Sequence, residues 1–491
     1  MTPAHDNTPQ TDNRRPHGRW WLSLIVVPLS ACVAVTQSNV DISKLASRWH
    51  ATLPHSGSTA QLVDWWSSFD DPALSELLRT AEANSPTLES AVAEIEEARA
   101  TMASSKADYF PSLTGSGSDD RSGTRGSRAN RVSPSTTGTG ELDASWELDF
   151  FGKTRTTVEA ARQRVAEETA DWYDARVTLA AEVADDYVQY RACRQLQGIY
   201  AAELVSQRDT VKATEASAAS GLKSTSDLAL IRASAASTSS SLKSQEADCE
   251  VLIKSITELV AVDEGKVRDI LKKSSSRIPR PAKLSVDAIP ANVIRQRPDV
   301  NALEKEVAAS LADIGTAKAD LYPSFSLSGT LTASHSTSTG TSLPWSFGPS
   351  VSIPIFDGGS LRATVKYKEA AYKAAVASYK SGVLSAINAV ETAMVNVNST
   401  ERQIGDAVVA AKIYRAYFKA IDTNWKAGGA SVLDREDARR ELQAAELTLV
   451  ENQRDAVRDW ITLYKAMGGG WTPNASGGVM PSDVSAKGVK Q

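Results

Sequence analysis

The segment Leu29-Ser30-Ala31-Cys32 sets a thiol behind a small-residue run, the arrangement in which an exported bacterial chain is cut before the cysteine and acylated at it. Arg14, Arg15 and Arg19 supply a positive lead, and the apolar run from Trp20 to Leu29 is too short to span a bilayer as a helix. Residues 1–31 therefore read as a lipoprotein signal peptide, with Cys32 as the lipidation site. Val33 follows the cysteine where Asp does not, which fits sorting to an outer membrane.

Of three cysteines, acylation of Cys32 leaves a pair, Cys193 and Cys249. An oxidising compartment favours joining them; the alternative is two buried free thiols. No catalytic constellation accompanies these thiols. Of five His residues, His5 and His17 leave with the leader, while His50, His55 and His335 fall in segments read as linker or loop. CxxC, HExxH, GxSxG and phosphate-cradling glycine loops are all missing. The chain reads as a non-enzyme with no cofactor and no metal. A formal net charge of −5, which becomes more negative once three basic and two acidic leader residues are removed, argues against nucleic acid as a partner.

The elements that carry these residues show themselves by repetition. Lys106-Ala107-Asp108-Tyr109-Phe110-Pro111-Ser112 recurs as Lys318-Ala319-Asp320-Leu321-Tyr322-Pro323-Ser324, and Gly221, Asp227 and Arg232 recur as Gly428, Asp434 and Arg439. Two copies of one unit fill the chain, with a period far too long for a solenoid. Within each copy the apolar period switches between two and about 3.6 residues. Leu142, Ala144, Trp146, Leu148 and Phe150 alternate with Glu141, Asp143, Ser145, Glu147 and Asp149, a strand wet on one face. Phe325 to Ala333 and Trp345 to Ile355 repeat the pattern, and residues 111–119 form a weaker fourth strand. Such strands suit a membrane barrel, but four cannot close one when about eight are needed.

Residues 153–219 and 359–426 hold no proline and read as very long helices, the second with a seam of Val376, Tyr379, Val383, Ile387, Val390, Met394 and Val397. Each turns at Gly221 or Gly428 and returns through a second helix. Cys193 and Cys249 lie equally far either side of Gly221, so an antiparallel hairpin brings both to one height. With Leu142 to Phe150 on the lipid side, Glu141, Asp143, Glu147 and Asp149 face the lumen. They either favour cations or simply wet the wall.

Asp64-Trp65-Trp66, Phe69-Asp70-Asp71-Pro72, Asn84-Ser85-Pro86-Thr87-Leu88, Ile289-Pro290-Ala291, Arg297-Pro298-Asp299-Val300, Tyr322-Pro323-Ser324 and Ile355-Phe356-Asp357-Gly358-Gly359 follow one another in the order found in outer-membrane factors of the TolC and NodT type. From about Trp49 to Trp471 the chain resembles that family. The resemblance implies a mainly α fold with a membrane β-barrel part: a duplicated unit of long antiparallel helical hairpins plus four strands per protomer. A homotrimer would then form a twelve-stranded barrel and a periplasmic α-helical tunnel.

On that reading 1–31 is the signal peptide, 32–85 the N-terminal linker and equatorial segment, and 86–262 the first repeat. Residues 263–298 form the equatorial connection, 299–467 the second repeat and 468–491 a Gly-rich disordered tail. The resemblance further implies a lipid-anchored exit duct in a Gram-negative outer membrane, serving an inner-membrane pump through a periplasmic adaptor that grips the tips near Gly221 and Gly428. The exit channel of a type I protein-secretion system shares the architecture and is the alternative. Val432-Leu433-Asp434 and Asp437 resemble the stretch that carries the family's narrowest carboxylate rings, and Trp425 lies where an aromatic gate residue often sits. Asp434 near a helix N-terminus also fits plain dipole stabilisation. Ala430 departs from members that place a basic gate residue there.

Overall fold

In a computed structural model the described residues are 50, 65–125, 132–274, 277–281, 283–284 and 290–469, so Cys32 and residues 470–491 of the expected 468–491 tail lie outside them, while Gly468 and Gly469 are ordered as the turn that closes the last helix, their amides donating to Lys465 O and Tyr464 O at 2.9 and 3.1 Å. The first repeat runs α1 (Pro72–Asn84), α2 (Pro86–Ala107), β1 (Ser112–Arg125), β2 (Val132–Leu148), α3 (Lys153–Ala219) and α4 (Thr225–Val260). Two short helices, α5 (Glu264–Leu271) and α6 (Pro290–Arg295), lead to the second repeat. That repeat is α7 (Pro298–Ala319), β3 (Ser324–Ser336), β4 (Gly340–Ser342), β5 (Trp345–Ser352), α8 (Ser360–Lys426) and α9 (Val432–Ala466). Helices α3 and α8 each hold 67 residues, which at 1.5 Å rise gives about 100 Å.

Both hairpins turn the same way, for a backbone reason. Gly221 and Gly428 adopt φ of 74° and 82°, where a side chain is strained. The amides that follow close back on the helix: Leu222 N donates to Ser217 O at 3.0 Å, and Gly429 N to Asn424 O at 2.9 Å. Each returning helix then opens on a serine cap, Ser224 or Ser431.

The sheet is antiparallel in the order β1-β2-β3, with β4 and β5 both paired to β3. β4 and β5 are one strand broken at Leu343 and Pro344; Thr332 N still donates to Pro344 O at 3.0 Å across the break. Glu141 stands opposite Thr332, Asp143 opposite Thr330 and Leu142 opposite Leu331. Glu141, Asp143, Thr330 and Thr332 are half-buried, whereas Leu142 and Leu331 on the other face are 47% and 43% exposed. Further along the polar face Ser145, Glu147 and Ser328 are exposed, while on the apolar face Trp146, Leu148 and Leu327 are half-buried and Trp345 and Phe347 stand out with Leu331 at 75% and 69% exposure.

The first hairpin is longer than the sequence expectation, with β1 running to Arg125 and β2 starting at Val132, and β3 runs on to Ser336, while two strand ends fall short. β2 stops at Leu148, because Asp149 leaves the ladder and accepts the Thr154 and Arg155 amides at 3.3 and 2.9 Å, capping α3. β5 stops at Ser352, leaving Ile353 and Ile355 outside it, because Pro354 has no N–H to donate.

Packing concentrates at the waist, where α1, α5, the ends of α4 and α9 and the middle of α3 come together. Tyr187, Leu74, Leu77, Ile256, Ile270, Leu463 and Met467 are almost fully buried there. Asp71 is the hub. It caps α1 through the Ala73 and Leu74 amides at 2.9 and 3.2 Å, and accepts the Tyr187 hydroxyl at 2.7 Å and the Ser274 hydroxyl at 2.6 Å. Arg191 donates to the Tyr187 oxygen at 2.8 Å and to Leu271 O at 3.0 Å, extending the network to α5. Trp65 stacks on Tyr464 with centroids 4.9 Å apart, and Trp66 Nε1 donates to the Tyr464 hydroxyl at 3.1 Å. Along the α8 seam Tyr379, Val383, Val390, Met394 and Val397 are buried, with Val376 and Ile387 packed beside them.

Candidate functional site

The tip of the second hairpin collects the charged residues singled out in the sequence. Ser431 and Asp434 form a reciprocal capping box. Asp434 N donates to Ser431 Oγ at 3.0 Å, while Ser431 N and Oγ donate to Asp434 Oδ2 at 2.9 and 2.7 Å. These hydrogen bonds hold the Asp434 carboxyl below its ordinary value. Asp434 is exposed, and Asp437, half-exposed, pairs with Arg440 at 2.9 Å. A three-residue step puts the two carboxylates on one face of α9.

The opposite face of α9 is buried and charged. Arg435 is 7% exposed, and its Nε donates to Asp422 Oδ1 of α8 at 2.6 Å while Nη1 donates to Thr210 Oγ1 of α3 at 2.5 Å. Its guanidinium lies over the Trp425 ring at 4.7 Å from the centroid. Arg439, 3% exposed, meets Glu203 of α3 at 3.0 Å and Glu436 on its own helix. Burial pushes Arg439 down to about 10 and Glu203 up. Gln207 donates to Glu203 at 2.9 Å and to Ser234 of α4 at 3.1 Å. Trp425 is therefore half-buried beneath a cation within one chain.

Arg435, Glu436 and Glu203 went unnoticed in the sequence because charged residues on a long helix read as a solvated face. The signal was there in Arg435, Glu436 and Arg439, which share a face with the apolar Val432 at one-, three- and four-residue steps. Repeat mates differ in use: Arg232 pairs at the surface with Glu215 of its own hairpin at 2.7 Å, while Arg439 reaches into the other hairpin.

Among the expected lumen carboxylates, Glu141 and Asp143 share the polar face, and Glu141 accepts Thr332 Oγ1 at 3.2 Å. Glu147 is exposed at the strand end and lies 3.7 Å from Lys153. Asp149 leaves the set, since its carboxylate is committed to the α3 amides. Cys193 on α3 and Cys249 on α4 are joined, with Cα atoms 5.6 Å apart. No helix among the described residues is long and apolar enough to cross a membrane, and these residues form no cluster suited to a metal ion.

Comparison with known proteins bears on this geometry. The family described as outer membrane efflux protein matches residues 77–248 and 289–469. Nodulation protein T of Rhizobium leguminosarum bv. trifolii is 31% identical over 459 residues, covering 92% of this chain and 97% of the relative. The solvent efflux pump outer membrane protein SrpC of Pseudomonas putida is 29% identical, covering 82% and 87%. The solved outer-membrane channel OprN superposes with a TM-score of 0.76 at 29% identity, covering 88% of this chain and 96% of that one. The open state of the Neisseria gonorrhoeae MtrE channel superposes at 0.74 with 24% identity, covering 87% and 96%, and shares the fold.

Proposed function

The chain belongs to the outer membrane efflux protein family, and from that premise we propose that it is the outer-membrane exit duct of a tripartite efflux system. It conducts small molecules passively, delivered by an inner-membrane pump through a periplasmic adaptor. The observation that carries this is the sheet. Its outer strands β1 and β5 each pair on one side only among the described residues, its apolar Leu142, Leu331, Trp345 and Phe347 lie exposed on one face of the single chain, and it stands on helices about 100 Å long. Open edges on a sheet with an apolar outer face are tolerated only when other copies close them. Three copies joined β1 to β5 supply twelve strands, above the roughly eight a barrel requires.

Cys32 carries the acyl chains that hold the assembly in outer-membrane lipid. Asp434 and Asp437 face the axis and form the periplasmic gate, with Trp425 behind them. Rings of Glu141, Asp143 and Glu147 line the barrel. Cargo selection lies with the pump. The test is dye accumulation in a strain lacking this chain. Accumulation rises on deletion and returns to normal when the chain is restored. Unchanged accumulation with every candidate dye would remove the efflux reading.

A further inference from the structure

The bridge between Cys193 and Cys249 stands where the apolar core of the waist runs out. In the first hairpin the continuous core reaches Leu196 on α3 and Ile253 on α4. Nearer the tip the buried side chains of α3 turn polar, with Glu203, Gln207, Thr210 and Thr214, and of these Glu203 and Thr210 face α9. Among the described residues, α4 between Thr225 and Cys249 buries only Ile231 and Thr238. There α4 packs chiefly on α3, whereas its repeat mate α9 packs on both α8 and α3. Towards the tip α4 is tied by Gln207 to Ser234 at 3.1 Å and by the exposed pair Arg232 and Glu215 at 2.7 Å, and exposed ion pairs hold little.

Both sulfurs are covered in the folded chain, Cys193 at 4% and Cys249 at 2% exposure, and thiol–disulfide exchange needs access to the sulfurs that react. We infer that a periplasmic protein carrying a reactive disulfide joins the pair while α4 still lies open, and that the bridge then keeps α4 on α3 until neighbouring copies cover it. One cysteine thiolate attacks a sulfur of the oxidant, breaking the oxidant's disulfide and forming a mixed disulfide. The other cysteine thiolate attacks the chain's own sulfur in that mixed disulfide and displaces the oxidant. Two electrons pass to the oxidant, which leaves as a dithiol, and its sulfurs regain the two protons that the cysteines lose. The covering by neighbouring copies rests on the trimeric duct proposed above; the oxidation does not.

Newly exported chain, quenched in acid and tagged with a heavy maleimide, reports the state of the two thiols in cells. With the oxidant present both should disappear before the trimer forms. In a strain lacking periplasmic thiol oxidants both should persist and the trimer should be lost, with cystine in the medium restoring bridge and trimer together. Cys193→Ser with Cys249→Ser should lose the trimer even where the oxidant is present. A bridge that forms at an unchanged rate without the oxidant overturns the inference, as does a full yield of trimer with both thiols free. A bridge formed on schedule in a parent chain that never trimerises counts against the duct alone.

Should the serine variant fail to accumulate, the unsubstituted chain still decides. Folded protein in detergent should keep its bridge under dithiothreitol that reduces the denatured protein; equal reduction of the two overturns the order of events. Trypsin added to the unbridged chain from the oxidant-lacking strain should cut at the exposed Lys223, Arg232 and Lys243 of the first hairpin and spare the exposed Arg440 of the second. Equal protection of the two hairpins overturns the clamp.

Discussion

Glu203 and Arg439 face each other at 3.0 Å across two different hairpins, at 8% and 4% side-chain exposure. Removing one partner leaves the other charge buried, so Arg439→Met should lower stability by about 3–5 kcal/mol. Its repeat mate is the control. Arg232 and Glu215 are 59% and 41% exposed, and Arg232→Met should cost no more than about 1 kcal/mol. Denaturation of the two variants in detergent checks the difference; equal losses would show that burial at the second tip carries no special weight.

Cys193 and Cys249, 56 residues apart in sequence, close a loop over the first hairpin. The denatured, unreduced protein should take up no thiol reagent at either position. Replacing both by Ser should lower stability by about 4 kcal/mol on the loop-entropy account. Stoichiometric labelling without reductant would show two free thiols instead.

Much of this architecture is legible in the sequence because its periodicities are long and uninterrupted. The proline-free runs at 153–219 and 359–426, the turn glycines and the alternation from Leu142 to Leu148 can be read without tertiary information. The first part of β2, Val132 to Gly140, is not legible in that way: Ser, Thr, Gly and Pro give it no apolar alternation, and its strand form comes from pairing with β1 and β3. Asp149 continues the alternation but serves α3, a competition that only the fold decides. The tip network was hidden for a related reason. Burial of Arg435 and Arg439 depends on α3 lying against α9; the face they share with Val432 marks an inward side but does not report that α3 covers it.

Asp71 explains why Phe69-Asp70-Asp71-Pro72 opens the helical waist. Its carboxylate accepts four hydrogen bonds while capping α1. Asp71→Ala removes a cap, at about 1 kcal/mol, and leaves the buried Tyr187 hydroxyl short of a partner, at about 1–3 kcal/mol more. A loss of about 3 kcal/mol is expected by thermal unfolding, with Asp71→Asn recovering part of it. An Asp71→Ala protein as stable as the parent would contradict the hub.

Glu167 on α3 is pushed up to about 8 by burial and then by Glu306, Asp171 and Glu168. A carboxyl raised in the folded state contributes stability below its ordinary value near 4.5, and that contribution is lost as pH rises towards about 8. Glu167→Gln should therefore match the parent near pH 5 and melt at a higher temperature near pH 8.5. Parallel melting curves across that range would show that the site does not titrate as described.

Single-channel conductance in a planar bilayer tests the central claim most directly. The purified protein should give discrete current steps, and Asp434→Ala with Asp437→Ala should raise the step size or open time and weaken divalent-cation block. Asp227→Ala at the matching position of the first repeat should leave both unchanged. A protein that inserts but passes no current, with or without the two substitutions, would contradict a duct.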